Sequence, residues 1–175
     1  PHSVLSGLTV QQLLHSDDVL GRLEQLAASL GAKVGGFDSS KLSPMLCASR
    51  GAEEHDPTRI YELKLDGVRI VADRRGDTTE LRYRKHRSAT SSYPEIVRAL
   101  RALPVDRVVL DGEIVAFDEQ GRPNFQRLGT RIHLQRARDI ERAIIDVPVT
   151  FVVFDVLQLG RYDLRSLPLI ERIDE

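Results

Sequence analysis

Residues 107–118 read RVVLDGEIVAFD, a strong strand pattern rich in β-branched residues. The alternation of a strand places Asp111 and Glu113 on one face, together with Val109 and Val115. Two carboxylates in so apolar a strand are costly unless they meet cations, a metal or hydrogen-bond donors. The stretch therefore predicts a strand with two acidic groups that need partners, and an acidic hairpin edge is the alternative.

Further strand patterns flank this stretch on both sides. Residues 68–75 (VRIVADRR) lead through a turn at Gly76 into residues 79–84 (TELRYR), which predicts a hairpin. Residues 149–159 (VTFVVFDVLQL) are apolar almost throughout, which predicts a strand buried on both faces. Residues 59–65 (RIYELKL) alternate between apolar and charged side chains and predict one more strand.

Helical spacing marks four segments of the chain. In residues 17–30 the apolar positions recur at helical intervals, with Ser16 as N-cap and Gly31 as the stop. Pro94 opens a second predicted helix. Two short helices are predicted near NFQRL (124–128) and RARDIERAII (136–145), and an irregular connector is predicted between Gly31 and Thr58.

The composition is that of an ordinary globular chain and excludes several classes of protein. The net charge is −1, so the chain is not uniformly basic. The single cysteine, Cys47, excludes an internal disulfide, fits a reducing cytoplasm and is predicted to be a small buried hydrophobe. No apolar run reaches the roughly 20 residues that span a bilayer, which predicts a protein without membrane segments.

A lysine stands out in residues 61–69, YELKLDGVR. Strand alternation would place Glu62, Lys64 and Asp66 on one face, and Gly67 would let the backbone turn or a ligand approach closely. Only four of the 25 basic residues are lysine. Lysine, unlike arginine, can lose its proton and act as a nitrogen nucleophile. A solvated strand face is the alternative.

Two other positions carry candidate chemistry. Asp155 lies in the most hydrophobic run of the chain, and alternation would point it away from Phe154. An aromatic ring in a cleft can stack on a base, although a core phenylalanine is the alternative. Arg84 ends the predicted hairpin and suits a ribose, a phosphate or a DNA backbone, or else the charged rim of an edge strand.

Several motifs in order resemble one superfamily. KLDGVR (64–69) resembles the KxDGxR signature of the covalent nucleotidyltransferases: ATP-dependent DNA ligases, RNA ligases and mRNA capping enzymes. Residues 111–128 and 151–172 resemble two later motifs, whereas residues 81–96 and PMLCAS (44–49) resemble ligase segments. The likeness is strongest to the ATP-dependent DNA ligases, in particular the ligase domain of bacterial DNA ligase D.

This resemblance implies an α+β fold with mostly antiparallel sheets flanked by helices. Residues 1–40 would form an N-terminal helix and connector, and residues 41–175 the N-terminal two-thirds of an adenylation (nucleotidyltransferase) domain. Two further motifs and an OB-fold domain would lie beyond Glu175, so these residues alone need not be active. One departure from the pattern is His86, which stands near an expected glycine.

The resemblance also implies a reaction. Lys64 would attack ATP, with Mg²⁺ or Mn²⁺ present, and form lysyl-AMP. The AMP would then pass to a DNA 5′-phosphate before the nick is sealed. Glu113 would bind the ribose hydroxyl or the metal, and Asp66 would be a second acid near the metal.

Four more residues would bind the nucleotide by the same resemblance. Glu62 would lie by the adenine amino group, Arg69 and Arg84 by the ribose and phosphate, and Phe154 would stack on the adenine. Nicked or broken double-stranded DNA would be the substrate, in DNA repair, recombination and non-homologous end joining. A Ku-type end-binding protein and other DNA ligase D domains would be partners, in the cytoplasm at the nucleoid. An RNA ligase, a capping-type enzyme and a non-catalytic binding module are the alternatives.

Overall fold

A six-stranded antiparallel sheet organises the chain, and it confirms the expected α+β class. The structure is a computed structural model that describes residues 16–46 and 60–173. The predicted burial of Cys47 therefore lies outside the described residues. The strands run in the order β1-β6-β5-β4-β2-β3. Their bounds are Lys33–Val34 (β1), Val68–Arg75 (β2), Thr78–Tyr83 (β3), Arg107–Ala116 (β4), Val149–Leu159 (β5) and Tyr162–Asp163 (β6).

The helices follow the predicted segments closely. Pro94 occupies the first turn of α2, where its missing N–H costs nothing. Gly31 adopts a φ of 82° just after α1, as a C-terminal glycine commonly does. The helices are Ser16–Ser29 (α1), Pro94–Arg101 (α2), Phe125–Ile132 (α3), Ala137–Asp146 (α4) and Ile170–Ile173 (α5).

One face of the sheet forms the main hydrophobic core. Ile70 of β2 and Ile114 of β4 are fully buried there, together with Leu81 of β3. Helices α2 and α3 cover this face and contribute Ile96 and Leu128. The predicted β2–β3 hairpin is confirmed, with Arg75 paired to Thr78 across the turn.

The opposite face carries Arg69, Asp111 and Glu113. The β2–β4 register pairs Arg69 with Glu113 and Val71 with Asp111, and it places all four on this face. A smaller apolar cluster covers part of it, where Phe37 packs against Val71. The sheet thus separates the main hydrophobic core from a face on which Arg69 pairs with Asp111.

The segment before the ligase-like motifs packs directly onto the sheet. Strand β1 pairs with β6, so that Val34 lies opposite Tyr162 at the sheet edge. Ala27 of α1 is buried against Tyr162, Leu164 and Leu167. The described part of the predicted N-terminal helix and connector therefore packs with the same sheet as the motifs.

Two strand predictions are wrong. Residues 60–67 form no strand, and the alternating side chains of Tyr61 and Leu63 are exposed rather than packed. The described sheet offers this segment no partner strand, and alternation without a partner does not make a strand. The prediction that β5 is buried on both faces fails in its first half, since Thr150 and Val153 are exposed.

Candidate active site

Gly67 connects the lysine segment to the central strand of the sheet. Its backbone N–H donates to Oε1 of Glu113 at 3.0 Å. A Cβ at this position would overlap the carbonyl oxygen of Ile114 and lie 2.7 Å from Cγ1 of Val115. The close approach that requires glycine is therefore made by β4. Of the two predicted reasons for glycine, a backbone turn or the approach of a ligand, neither named this contact with β4.

Glu113 lies at the centre of a charged group. Burial raises the pKa of the Glu113 carboxyl above its ordinary value. The hydrogen bond from Gly67 and the charges of Arg69 and Lys64 oppose this rise, whereas the charge of Asp66 adds to it. Lys64 and Asp66 are exposed, in the segment that enters β2. The charges of Lys64 and Asp66 thus both act on the Glu113 carboxyl.

Arg69 is held from three sides. Its Nε and Nη2 donate to the two oxygens of Asp111 at 2.9 and 2.7 Å, the fork geometry that only arginine provides. Its Nη1 donates to the carbonyl oxygen of Met45 at 2.6 Å. The guanidinium also lies 5.2 Å from the centre of the Phe154 ring. Asp111 therefore fixes the orientation of Arg69, a role that the sequence did not assign to it.

A second acid–arginine pair stands beside the first. Asp155 lies opposite Asp111 in the sheet, and Nη1 of Arg172 donates to both Asp155 oxygens at 2.7 and 2.9 Å. Burial raises the pKa of Asp155, Asp111 adds to the rise, and Arg172 opposes it. Two adjacent carboxylates can remain in the sheet because each has its own arginine.

A β-bulge sets the position of Phe154. The β4–β5 register changes between Asp111, which faces Asp155, and Gly112, which faces Val153. Phe154 is the extra residue, and a bulge interrupts the alternation of side chains. Phe154 lies 5.2 Å from the Arg69 guanidinium, which binds Asp111, and Asp111 is the partner of Asp155 in the sheet. Both residues also line a cavity of about 340 Å³ beside α1. The prediction that they point to opposite faces is therefore wrong.

The other two predicted nucleotide-binding residues lie at the margin. Arg84 follows the end of β3, where Tyr83 pairs with Ile70 near the start of β2. It is exposed at the sheet end where residues 64–67 enter β2. Glu62 is exposed further upstream, without a hydrogen bond or ion pair to the charged group among the described residues.

Glu113 and Asp66 provide two carboxylates for a metal ion, which is fewer ligands than a complete protein site supplies. Among the described residues, no group of three or more His, Cys, Asp or Glu side chains is placed to hold a metal. Mg²⁺ commonly takes only one or two carboxylates and completes its shell with water and substrate phosphates. The repulsion that Asp66 exerts on Glu113 is what a cation at this point would relieve.

Within the part of the chain that the structure describes, no helix has the length and apolar character needed to cross a membrane.

Comparison with known proteins identifies the family of the chain. Residues 44–174 match the family described as the ATP-dependent DNA ligase domain, and the chain belongs to that family. The probable DNA ligase of Streptomyces coelicolor is 41% identical over 164 residues, which cover 87% of this chain and 32% of the relative. DNA ligase C of Mycobacterium tuberculosis is 40% identical over 132 residues, which cover 75% of this chain and 36% of that relative.

A solved structure, mycobacterial DNA ligase D complexed with ATP and MES, is 31% identical with a TM-score of 0.49. The match covers 65% of this chain and 34% of that one. The chain spans about a third of the length of the curated relatives it matches. The resemblance to ATP-dependent DNA ligases that the motifs indicate is thus confirmed at the level of the family.

Proposed function

We propose that this chain is part of an ATP-dependent DNA ligase and that Lys64 is the residue that becomes adenylated. One observation carries the proposal: the Gly67–Glu113 hydrogen bond joins the Lys64 segment to the strand that bears the acids. Residues 41–175 would be the corresponding part of the adenylation domain. The match of residues 44–174 to the ligase family supports this reading.

In the proposed reaction, the Nζ atom of Lys64 attacks the α-phosphate of ATP. A nitrogen–phosphorus bond forms, the bond to pyrophosphate breaks, and the amine proton passes to solvent. Arg69 and Arg84 would balance the negative charge of the phosphate and contact the ribose. Arg69 is suited to this role because Asp111 already fixes its orientation. A fixed guanidinium loses little freedom when it binds its ligand.

Glu113 and Asp66 would hold a Mg²⁺ or Mn²⁺ ion. When bound, such an ion supplies positive charge that offsets the phosphates and favours the neutral form of a neighbouring amine. Glu113 alternatively accepts a hydrogen bond from a ribose hydroxyl. Its raised pKa reflects a half-buried carboxyl that gains from either partner.

The base would contact two residues. Phe154 would stack on the adenine, and Glu62 would accept a hydrogen bond from the adenine amino group. The position of the Phe154 ring beside Arg69 supports the first role, because it places a ring next to a phosphate-binding cation.

The later steps involve DNA. The AMP would pass from Lys64 to the 5′-phosphate of nicked or broken double-stranded DNA, and the 3′-hydroxyl would displace it to seal the strand. A role in DNA repair, recombination and non-homologous end joining belongs to the same proposal. A Ku-type partner, further DNA ligase D domains and a location at the nucleoid in the cytoplasm belong to it as well.

The first step can be tested by the intact mass of the chain after incubation with ATP and Mg²⁺. We expect a gain of one AMP that pyrophosphate removes and that Lys64→Ala abolishes. Lys41→Ala is the matched control, since Lys41 is an exposed lysine paired with Asp38 elsewhere on the surface. An AMP adduct that persists in folded Lys64→Ala protein would contradict the assignment.

A further inference from the structure

Lys85, His86 and Arg87, the last three of four consecutive basic residues, form an exposed turn after β3. We propose that this basic turn binds the phosphodiester backbone of the DNA strand next to the proposed adenylation site. The proposal rests on the proposed function for the identity of its ligand. It assigns to the turn a contact with DNA that is separate from the chemistry at Lys64.

The backbone holds the turn in one tight conformation. The N–H of His86 donates to the carbonyl oxygen of Tyr83 at 2.8 Å, and the N–H of Tyr83 donates to that of Arg87 at 2.9 Å. His86 has a φ of 63°, in the left-handed region that glycine adopts without strain. Histidine therefore occupies a backbone position that glycine would adopt more easily.

The side chains of the turn are arranged for an external anion. The Arg87 guanidinium lies 4.5 Å from the centre of the Tyr83 ring, which anchors it beside the core. Within the described residues, Lys85, His86 and Arg87 form no ion pair or hydrogen bond with a carboxylate. The neighbouring Arg82, by contrast, pairs with Glu80. The positive charge of the turn is thus not neutralised by the described part of the protein.

The position of the turn fits a DNA strand that reaches Lys64. Tyr83 pairs with Ile70, and β2 begins only two residues earlier at Val68. The turn therefore leaves the sheet at the end where Lys64 enters. The chain as a whole has a net charge of −1, so an attraction for phosphates must come from local groups. Lysine and arginine contacts to phosphates supply affinity that falls with salt.

The test is the binding of a labelled nicked DNA duplex to the chain, measured by fluorescence anisotropy over a series of salt concentrations. Lys85→Gln with Arg87→Gln should weaken binding and reduce the slope of log K against log salt by about 2, close to 1 for each lost phosphate contact. Arg98→Gln with Arg101→Gln is the matched control. These two exposed arginines carry the same charge, but they lie on α2, the helix that covers the opposite face of the sheet.

A single substitution separates the loss of a phosphate contact from a folding defect. Lys85→Gln alone leaves the Arg87–Tyr83 contact intact, and it should reduce the slope by about 1 without a folding defect. A turn variant that loses no more affinity than the α2 control would overturn the proposal. A loss of affinity for single-stranded RNA of the same sequence, with unchanged affinity for the nicked DNA duplex, would overturn it as well.

Adenylation without DNA distinguishes this proposal from the previous one. The turn variants should form lysyl-AMP as the unaltered chain does. Failure of the unaltered chain to form the adduct while the slope still changes would count against the proposed function alone.

Discussion

The backbone N–H of Gly67 lies 3.0 Å from Oε1 of Glu113, and this hydrogen bond joins two motifs that are 46 residues apart. On one side of it, residues 64–66 carry the lysine and an acid. On the other, β4 carries the acids of the polar face. The geometry of the site therefore depends on how closely the Gly67 backbone approaches β4.

Gly67→Ala is predicted to destabilise the protein and to abolish adenylation. The new Cβ would overlap the backbone oxygen of Ile114, which cannot rotate away. Such overpacking costs about 1–3 kcal/mol in the free energy of unfolding, measurable by urea denaturation. Gly129→Ala in α3 is the control, because no atom lies within 4 Å of its added Cβ. It should stabilise the helix by about 0.5–1 kcal/mol. Equal stability of the two variants would show that the close approach is absent.

Glu113→Gln is predicted to change how stability depends on pH. The pKa of Glu113 in the folded protein is raised above 4.5, so the folded state holds this proton more tightly than the unfolded chain does. Stability therefore falls as the pH rises from 4.5 through the raised pKa. Glutamine cannot ionise but still offers an oxygen to the Gly67 N–H.

The variant should accordingly gain stability relative to the unaltered protein as the pH rises through that window. Urea midpoints measured from about pH 4 to about pH 7 follow this difference. An advantage that instead grows towards acid pH would reverse the sign and refute the raised pKa. Adenylation should fall in the variant, because a neutral amide binds a divalent cation more weakly than a carboxylate does.

Arg69→Ala is predicted to destabilise the protein by about 2–5 kcal/mol, because it leaves the buried Asp111 carboxylate without its partner. Arg69→Lys keeps the charge but loses the two-point contact, so it should recover only part of the loss. Adding Asp111→Asn to Arg69→Ala should restore stability but not adenylation. A double variant as unstable as Arg69→Ala would indicate that the pair is not coupled.

Phe154→Ala is predicted to weaken the binding of ATP by about 1–3 kcal/mol, the range for a base stacked on an aromatic ring. Phe154→Tyr keeps the ring and should bind as before. The control is Phe125→Ala, which removes an exposed phenylalanine at the start of α3. Titration calorimetry measures all three. Unchanged ATP affinity in a correctly folded Phe154→Ala protein would count against stacking.

Local pattern was sufficient to predict most of the fold. The hairpin through Gly76, the helix at Pro94 and strand β4 all follow from short-range signals, and each is confirmed. The strand predicted for this part of the chain is absent at residues 60–67, because alternation cannot show whether a partner strand exists. The orientation of Phe154 failed because a bulge depends on the register between two strands.

The charged residues of the polar face stand out in the sequence, but their connections do not. Asp111 was visible as a costly acid in an apolar strand, yet its partner Arg69 is 42 residues away. The pairing of Asp155 with Arg172 is likewise a product of the tertiary fold. Sequence alone shows that such charges need partners, whereas only the fold shows which partners they take.

Peptide mapping tests most directly whether Lys64 carries the AMP. Trypsin cleaves after lysine and arginine, so the unmodified chain yields residues 60–64 and 65–69 as separate peptides. After incubation with ATP and Mg²⁺ at neutral pH, we predict a joined peptide of residues 60–69 with one AMP, because an adenylated lysine is no longer cleaved. AMP found on Lys33, Lys41 or Lys85, with residues 60–64 and 65–69 recovered unmodified, would contradict Lys64 as the nucleophile.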